Sequence, residues 1–396
     1  MFLLTNQAFT KYPILRNTPA RRSTLPAQRD PNFNPGIWGI LRSAIGRDLT
    51  RISLPSLLNE PLSGTQRHAA FFRFAADVTR AGRTLSTAAR LTGILSVLFA
   101  NMADDRGRLR KPFNPLLGET FELVGPDFFS ITEQVSHHPP ITATYFESAE
   151  LSFEANIQVR VSFSLAGGLD FSMRCPNALR LKNPDIACRV EFPGIKPINF
   201  FRGKPFFAMV GRLRIVSESC KSEAFIEFPD PSVQTESTFV VRGEARDEKG
   251  QLSLKIEGDF KRGLHAFDMK SSRSASLCAK SPVIPDAEFL YGFTEFTCNL
   301  NHLTPQTLSK LPPTDARLRP DIRAYENANY ELADQEKHRL EELQRQKAKV
   351  IKDENRKHDP VWFDYHPDHH ITFRYNRKYM EARSKGVWPD RIPKIY

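Results

Sequence analysis

Two adjacent histidines, His137 and His138, stand in the string EQVSHHPP over residues 133–140. Imidazoles can ligate metals, move protons or contact anions. Neighbours in an extended segment point to opposite faces, which makes a poor bidentate metal pair. Pro139 and Pro140 keep the segment out of a helix. On the residues alone three readings stay open: structural packing, contact with an anion, and catalysis. A second histidine group, His366, His369 and His370 in HPDHH, has loose metal-ligand spacing but no carboxylate-rich motif beside it. GxSxG, a Walker loop and HExxH are all absent from the sequence, so no hydrolase nucleophile, nucleotide cradle or zinc pair is announced. The reading is therefore no enzyme, no cofactor and no metal.

The elements that must position these residues come from composition and periodicity. The chain has 396 residues; 40% are hydrophobic and 26% charged, an ordinary globular balance that excludes wholesale disorder. Phe, at 30, outnumbers the 9 Tyr and 3 Trp together, which points to extensive apolar surface with no polar tip to satisfy. Cys175, Cys188, Cys220, Cys278 and Cys298 are odd in number and hold no CxxC pair, which favours a reducing compartment. No run reaches the ~18 apolar residues of a membrane span. The net charge of +11 fits a nucleic acid or an anionic membrane surface. A basic aromatic recognition string for nucleic acid is missing, so no nucleic-acid partner is expected.

Residues 1–36 read as a flexible basic leader ending in PNFNPG. Apolar residues at Ile37, Ile40, Leu41 and Ile45 have amphipathic helical spacing, and helical register continues from Ser63 to Met102. Segments 157–165, 212–217, 223–228, 237–245 and 251–258 alternate or are β-branched, and predict a long antiparallel meander. So many strands are expected to close, or nearly close, into a barrel that removes their edges. From Asp321 a charged helical period returns, and the aromatic C-terminus is expected to strap back over the body. The fold class is α+β in one large domain.

EQVSHHPP is also the signature string of the oxysterol-binding-protein-related lipid-transfer proteins, and other segments resemble that family in order. KPFNPLLGETFEL (111–123) is similar to its second signature, and IGRDLTRISLPSLLNEPLS (45–63) to its lid entry. LPPTDARLRPDIRA with EKHRLEELQR, WF at 362–363, YMEAR and the final W-x-x-x-x-P-x-I-Y fit its late segments. Residues 165–235 diverge, and Phe260 stands where many relatives carry Trp.

The resemblance implies a near-complete β-barrel (111–310) around a lipid tunnel, with a lid and entry segment (37–62), helices (63–110) and a C-terminal helix and strap (311–396). It implies a mouth for the head group of phosphatidylinositol 4-phosphate built from Lys111, Asn114, His137, His138, Lys337, Glu341 and Arg345. Ile37, Trp38, Leu41 and Ile45 would cover the lipid. Lys337, Glu341 and Arg345, at i, i+4 and i+8, share a helix face, where an exposed ion-pair ladder is the competing explanation. A phosphomonoester carries about −1.5 to −2 charges and three strong acceptors, which suits lysine, arginine and imidazole. Removing an acyl chain from a bilayer forfeits about 0.8 kcal/mol per CH₂, which only an enclosed apolar tunnel can offset.

The implied function is exchange of phosphatidylinositol 4-phosphate for a second lipid; the NEPLS wording leans toward sterol. A phosphoinositide sensor, or a phosphatidylserine exchanger without sterol binding, are the alternatives. The expected setting is cytoplasmic, as a monomer in transient contact with anionic membranes, possible contact sites included. The chain leaves no room for an upstream phosphoinositide-binding targeting domain, so membrane choice would fall to the basic surface, the leader or a partner.

Overall fold

Alternating burial marks several of the strands, every second residue facing inward, while others are buried on both faces. In order the strands are β1 (Asn59–Ser63), β2 (Lys111–Phe113), β3 (Thr120–Val124), β4 (Phe128–His137), β5 (Pro140–Ser148) and β6 (Leu151–Ser164). They continue with β7 (Gly168–Arg174), β8 (Asn177–Lys182), β9 (Asp185–Glu191), β10 (Gly194–Ile198), β11 (Phe206–Val210) and β12 (Arg212–Ser217). The last of the run are β13 (Glu223–Glu227), β14 (Val241–Arg246), β15 (Leu252–Asp259), β16 (Gly263–Asp268) and β17 (Ser274–Ser276). The computed structural model describes residues 22–28, 56–72, 86–105, 110–125, 128–164, 168–199, 206–235, 239–277 and 283–396. The expected lid residues Ile37, Trp38, Leu41 and Ile45 lie outside these.

The main sheet runs β17-β16-β15-β14-β13-β12-β9-β8-β6-β5-β4-β3, with β7 paired to β6. Its pairings are antiparallel, as the meander reading required. The described residues do not close the sheet, so the expected near-complete barrel is not confirmed: β3 and β17 are not hydrogen-bonded to each other. The β3 edge is instead covered by the 312–318 segment, where Thr120 N donates to Thr314 O at 2.9 Å and Thr120 bridges Asp315. An edge paired this way no longer needs barrel closure.

Helix α1 (Gly64–Ala69) follows β1 directly, and α2 (Thr87–Asp105) packs on the inner face of β12–β16. Leu91, Leu95 and Phe99 of α2 are fully buried, and Phe99 stacks on Phe260 with ring centroids 4.7 Å apart. Burial on nearly every side would strand polar side chains, so they bond within reach: Thr92 Oγ1 donates to Ala88 O at 2.8 Å and Ser96 Oγ to Gly93 O at 2.7 Å. Each fully buried Leu or Phe contributes roughly 1.5–3 kcal/mol.

After two short helices, α3 (Glu295–Asn299) and α4 (Pro305–Leu308), come α5 (Pro320–Glu326) and α6 (Tyr330–Asp353). The single late helix expected from Asp321 is thus two. Ala328 takes a left-handed φ of 58°, and the Asn329 side chain caps the new start by accepting from Leu332 N at 3.2 Å.

The C-terminus forms the hairpin β18 (Phe363–Tyr365) and β19 (Phe373–Tyr375), then α7 (Tyr379–Lys385). It covers the outer face of β4 and β5, where Ile131, Val135 and Ala143 pack with Val361, Trp362 and Phe363. Part of the leader expected over residues 1–36 is also docked. Arg22 Nε donates to Cys298 O at 2.7 Å, its guanidinium pairs with Glu326, and Leu25 is buried.

Candidate functional site

Lys111 opens β2, which pairs in parallel with β1 through Asn59 opposite Lys111 and Ser63 opposite Phe113. Asn59 Nδ2 donates to Pro112 O at 2.9 Å and fixes this short strand, where Pro112 supplies no backbone donor. Gly64 begins α1 against Pro115; an added Cβ there would sit 3.0 Å from the proline ring, which would have to give by a few tenths of an ångström. Gly118 turns the chain with a φ of +82°.

Glu119 then ties the loop to everything around it. Its carboxylate accepts from Leu116 N at 3.1 Å, Thr65 Oγ1 at 2.8 Å and Arg319 Nη1 at 2.7 Å, and from the Ser63 hydroxyl. The backbone joins the two signature strings directly: Gly118 N donates to Gln134 O and Gln134 N to Glu119 O, each at 2.9 Å. Each string is therefore part of the other's support.

His137 ends β4, opposite Pro140 of β5, and His138 lies in the connecting turn. A strand's alternation stops where the strand stops. The two rings are accordingly not on opposite faces, as an extended segment would have them, but 4.4 Å apart between centroids. Burial, and to a lesser extent the neighbouring His138, pulls the His137 imidazole down to about 4, with Glu341 opposing. His137 is thus neutral near pH 7, with one ring nitrogen a donor and the other an acceptor. His138 is exposed.

Helix α6 lies across this loop. Lys337 Nζ pairs with Glu341 Oε1 at 2.7 Å, and their side chains are 12% and 22% exposed. The other oxygen, Glu341 Oε2, is buried and has no hydrogen-bond partner among the described residues. Lys111 Nζ faces the same place, donating to Asn114 Oδ1 at 3.1 Å, while Asn114 itself is exposed and its carbonyl accepts from Arg319. Burial and then Lys337 push the Lys111 ammonium down to about 8; Arg319 adds to this, and Glu341 and Glu60 act against it. Several cations and one incompletely used carboxylate share a partly enclosed pocket.

Arg345 does not join them. It is 55% exposed and pairs with Glu342 at 2.9 Å. The reason is helical geometry: at about 100° per residue, each i+4 step drifts about 40°, so Arg345 lies about 80° around the axis from Lys337. Gln344, seven residues on, returns to within about 20°. Its amide bridges both signature strings, donating toward His137 Nε2 at 2.8 Å and accepting from Leu117 N at 2.8 Å. Sequence reading missed Gln344; its i+7 spacing from Lys337 was the available signal.

An apolar cavity of about 110 Å³ lies between α2 and the sheet. Phe71 and Phe72, Ile94 and Leu98 of α2, and Phe153 and Ile157 of β6 form its walls. Thr144 of β5 lines it too, so the hairpin that ends in His137 also supplies the cavity wall. The hydroxyls of Thr144 and Thr132 are hydrogen-bonded to each other at 3.1 Å. Among the described residues no group of three or more His, Cys, Asp or Glu is arranged to hold a metal, and no helix is long and apolar enough to cross a membrane.

A family model described as Oxysterol-binding protein matches residues 36–384. Human oxysterol-binding protein-related protein 7 is 31% identical over 87% of this chain and 41% of its own length. Oxysterol-binding protein-related protein 1D of Arabidopsis thaliana is 33% identical over 98% of this chain and 47% of its own length. The chain thus spans under half of these relatives. Among solved structures, an Osh1 ORD domain in complex with cholesterol is 29% identical, with a TM-score of 0.82 over 96% of this chain and 95% of that one. The Osh3 ORD of Saccharomyces cerevisiae in complex with PI(4)P is 26% identical, with a TM-score of 0.81 over 95% of this chain and 99% of that one.

Proposed function

This chain belongs to the oxysterol-binding protein family, and from that premise we propose that it exchanges phosphatidylinositol 4-phosphate and a second lipid, a sterol, between membranes. The head group binds at Lys111, Asn114, His137, His138, Lys337 and Glu341, with Arg345 at the rim. The observation that carries this reading is that Lys111, bonded to Asn114 Oδ1 at 3.1 Å, shares the signature loop with the 2.7 Å Lys337–Glu341 pair, where burial and Lys337 push its ammonium down. Like charges crowded in a partly buried pocket repel, and an anion placed between them relieves that cost. A phosphomonoester supplies two charges and several acceptors at once. Glu341 Oε2, left without a donor among the described residues, suits a hydroxyl of the inositol ring.

The lipid's acyl chains, or the second lipid in their place, occupy the apolar cavity. Neither ligand needs a reacting group, so the protein acts by binding and release and not as an enzyme. The net charge of +11 favours transient contact with anionic membrane surfaces. The test is mass spectrometry of lipids retained by the purified protein after incubation with mixed liposomes. Phosphatidylinositol 4-phosphate and sterol, each excluding the other, are the expected result; retention of neither contradicts the proposal.

A further inference from the structure

Part of the basic leader is docked, and its sequence has the form of a kinase substrate. Residues 20–25 read ARRSTL, with arginines three and two positions before Thr24 and Leu25 directly after it. Kinases that select basic substrates read such spacing with their own carboxylates and an apolar pocket. In the folded chain Arg22 and Leu25 are already engaged. The Asn299 side-chain amide brackets the Arg22 backbone, accepting from Arg22 N at 3.0 Å and donating to Arg22 O at 2.8 Å. Arg22 Nε donates to Cys298 O at 2.7 Å, and its guanidinium pairs with the buried Glu326. Leu25 is buried in the apolar cluster that also holds Phe113 of β2. Ser23 and Thr24, between these two anchors, are exposed. From Glu326 a hydrogen-bonded chain runs to the signature loop. Asn301 Nδ2 donates to Glu326 Oε2 at 3.1 Å, Gln66 Nε2 to Asn301 Oδ1 at 3.1 Å, and Ser63 N to Gln66 Oε1 at 2.7 Å. The Ser63 hydroxyl then bonds Glu119.

We propose that Thr24 is a phosphorylation site for a kinase selecting basic substrates, and that its phosphate releases the Arg22–Leu25 clasp and so loosens the head-group loop. In the transfer, the Thr24 hydroxyl oxygen bonds to the γ-phosphorus of ATP, the bond from that phosphorus to the ADP oxygen breaks, and the hydroxyl proton is lost. The docked clasp hides Arg22 and Leu25 from a kinase, so only the undocked segment is a substrate. Once added, the phosphate brings about −1.5 to −2 charges within two residues of Arg22. A charge-assisted pair with that dianion competes for the guanidinium that Glu326 holds. The modified segment therefore stays undocked, and Glu326 loses a cation at one end of the network that reaches Glu119. The effect on lipid rests on the head-group reading; the modification itself does not.

The full chain and a synthetic peptide of residues 18–30 are incubated with ATP and the catalytic subunit of cyclic-AMP-dependent protein kinase, and mass spectrometry locates the phosphate. Thr24 should be modified in both, about tenfold or more faster in the peptide, which has no docking to escape. Asn299→Ala, which frees the Arg22 backbone, should bring the chain's rate toward the peptide's. Thr24→Ala should abolish labelling of this segment and leave phosphatidylinositol 4-phosphate extraction unchanged. In the phosphorylated chain, hydrogen exchange over residues 22–28 should speed up. Its phosphoinositide extraction should fall by about three- to tenfold, the range one lost hydrogen bond gives. If Asn299→Ala does not fold, the peptide comparison and the exchange measurement decide alone. No phosphate on Thr24, phosphate on Ser23 in its place, or equal rates in chain and peptide overturns the proposal. So does exchange, or extraction, that the phosphate leaves unchanged. A wild type that extracts no phosphoinositide counts against the head-group site, and the labelling rates and exchange then still decide the switch.

Discussion

Gln344 on α6 and His137 at the end of β4 are joined by a 2.8 Å hydrogen bond, although 207 residues separate them. Because the same amide also accepts from Leu117 N, one side chain sets the spacing of helix, loop and histidine. Gln344→Ala should weaken phosphoinositide extraction by about 2- to 10-fold, the range for a net loss of about 0.5–1.5 kcal/mol. Gln344→Glu should weaken it further, since a carboxylate would stand beside the phosphate. Titration with phosphatidylinositol 4-phosphate liposomes measures both; equal affinity in all three proteins would remove Gln344 from the site.

Lys337 and Arg345 should no longer be treated as equivalent. Lys337 is 12% exposed and sits with Lys111, whereas Arg345 is 55% exposed and paired with Glu342. Lys337→Ala should cost about 1.5–3 kcal/mol of head-group binding, the value for a charge-assisted hydrogen bond. Arg345→Ala should cost at most about 1 kcal/mol, as exposed pairs do, and that smaller loss should fade with added salt. The two variants compared at low and high ionic strength check this; equal losses would mean that Arg345 swings inward when lipid binds.

The Lys111 ammonium gives the site a pH dependence of definite sign. Unliganded, it titrates near 8, and a bound phosphate favours its charged form and raises that value. Below about pH 8 it is already charged and binding takes up no proton. Above it, binding must recruit one, so affinity falls as pH rises, by up to about tenfold per unit. The lipid's phosphate is fully ionised throughout this range. Binding measured from pH 7 to 9.5 should show the decline in the wild type and a flatter profile in Lys111→Arg; a flat wild-type profile would contradict the assignment.

Glu133, in the same signature string, serves the fold. Its carboxylate accepts from Val361 N at 2.8 Å and Trp362 N at 2.9 Å, fastening the C-terminal strap to β4. Burial nonetheless raises its pKa to about 7, against the opposing effect of those backbone bonds. A raised carboxyl pKa means the folded protein holds the proton more tightly than the unfolded chain. Its contribution is full below the ordinary value near 4.5 and is lost as pH rises through about 7. Between pH 4.5 and 7, wild-type stability should therefore fall relative to Glu133→Gln in chemical denaturation. Parallel curves would show that Glu133 does not titrate in the fold.

Much of the architecture was legible because it depends on local periodicity. The alternating segments at 212–217, 223–228 and 251–258 correspond closely to β12, β13 and β15. Sheet closure was not legible, because what covers the β3 edge is Thr314–Asp315, nearly two hundred residues away. The late helix was read as continuous because nothing in its charge pattern reveals the left-handed Ala328. Among the site residues, Lys111, His137, Lys337 and Glu341 lie close enough to influence one another's charge. Arg345 stands apart and Gln344 takes the inward position, because an i+4 ladder winds around a helix while an i+7 pair does not.

The central claim is that one pocket binds phosphatidylinositol 4-phosphate through the histidine end of β4 while the apolar cavity serves a second lipid. The most direct measurement is fluorescent-sterol transfer between liposomes, with and without phosphatidylinositol 4-phosphate in the acceptor membrane, for the wild type and for His137→Ala combined with His138→Ala. The account predicts that phosphoinositide accelerates wild-type transfer, and that the double variant keeps the basal rate and loses the acceleration. Acceleration that persists in the double variant, or a wild type that transfers no sterol under either condition, would contradict it.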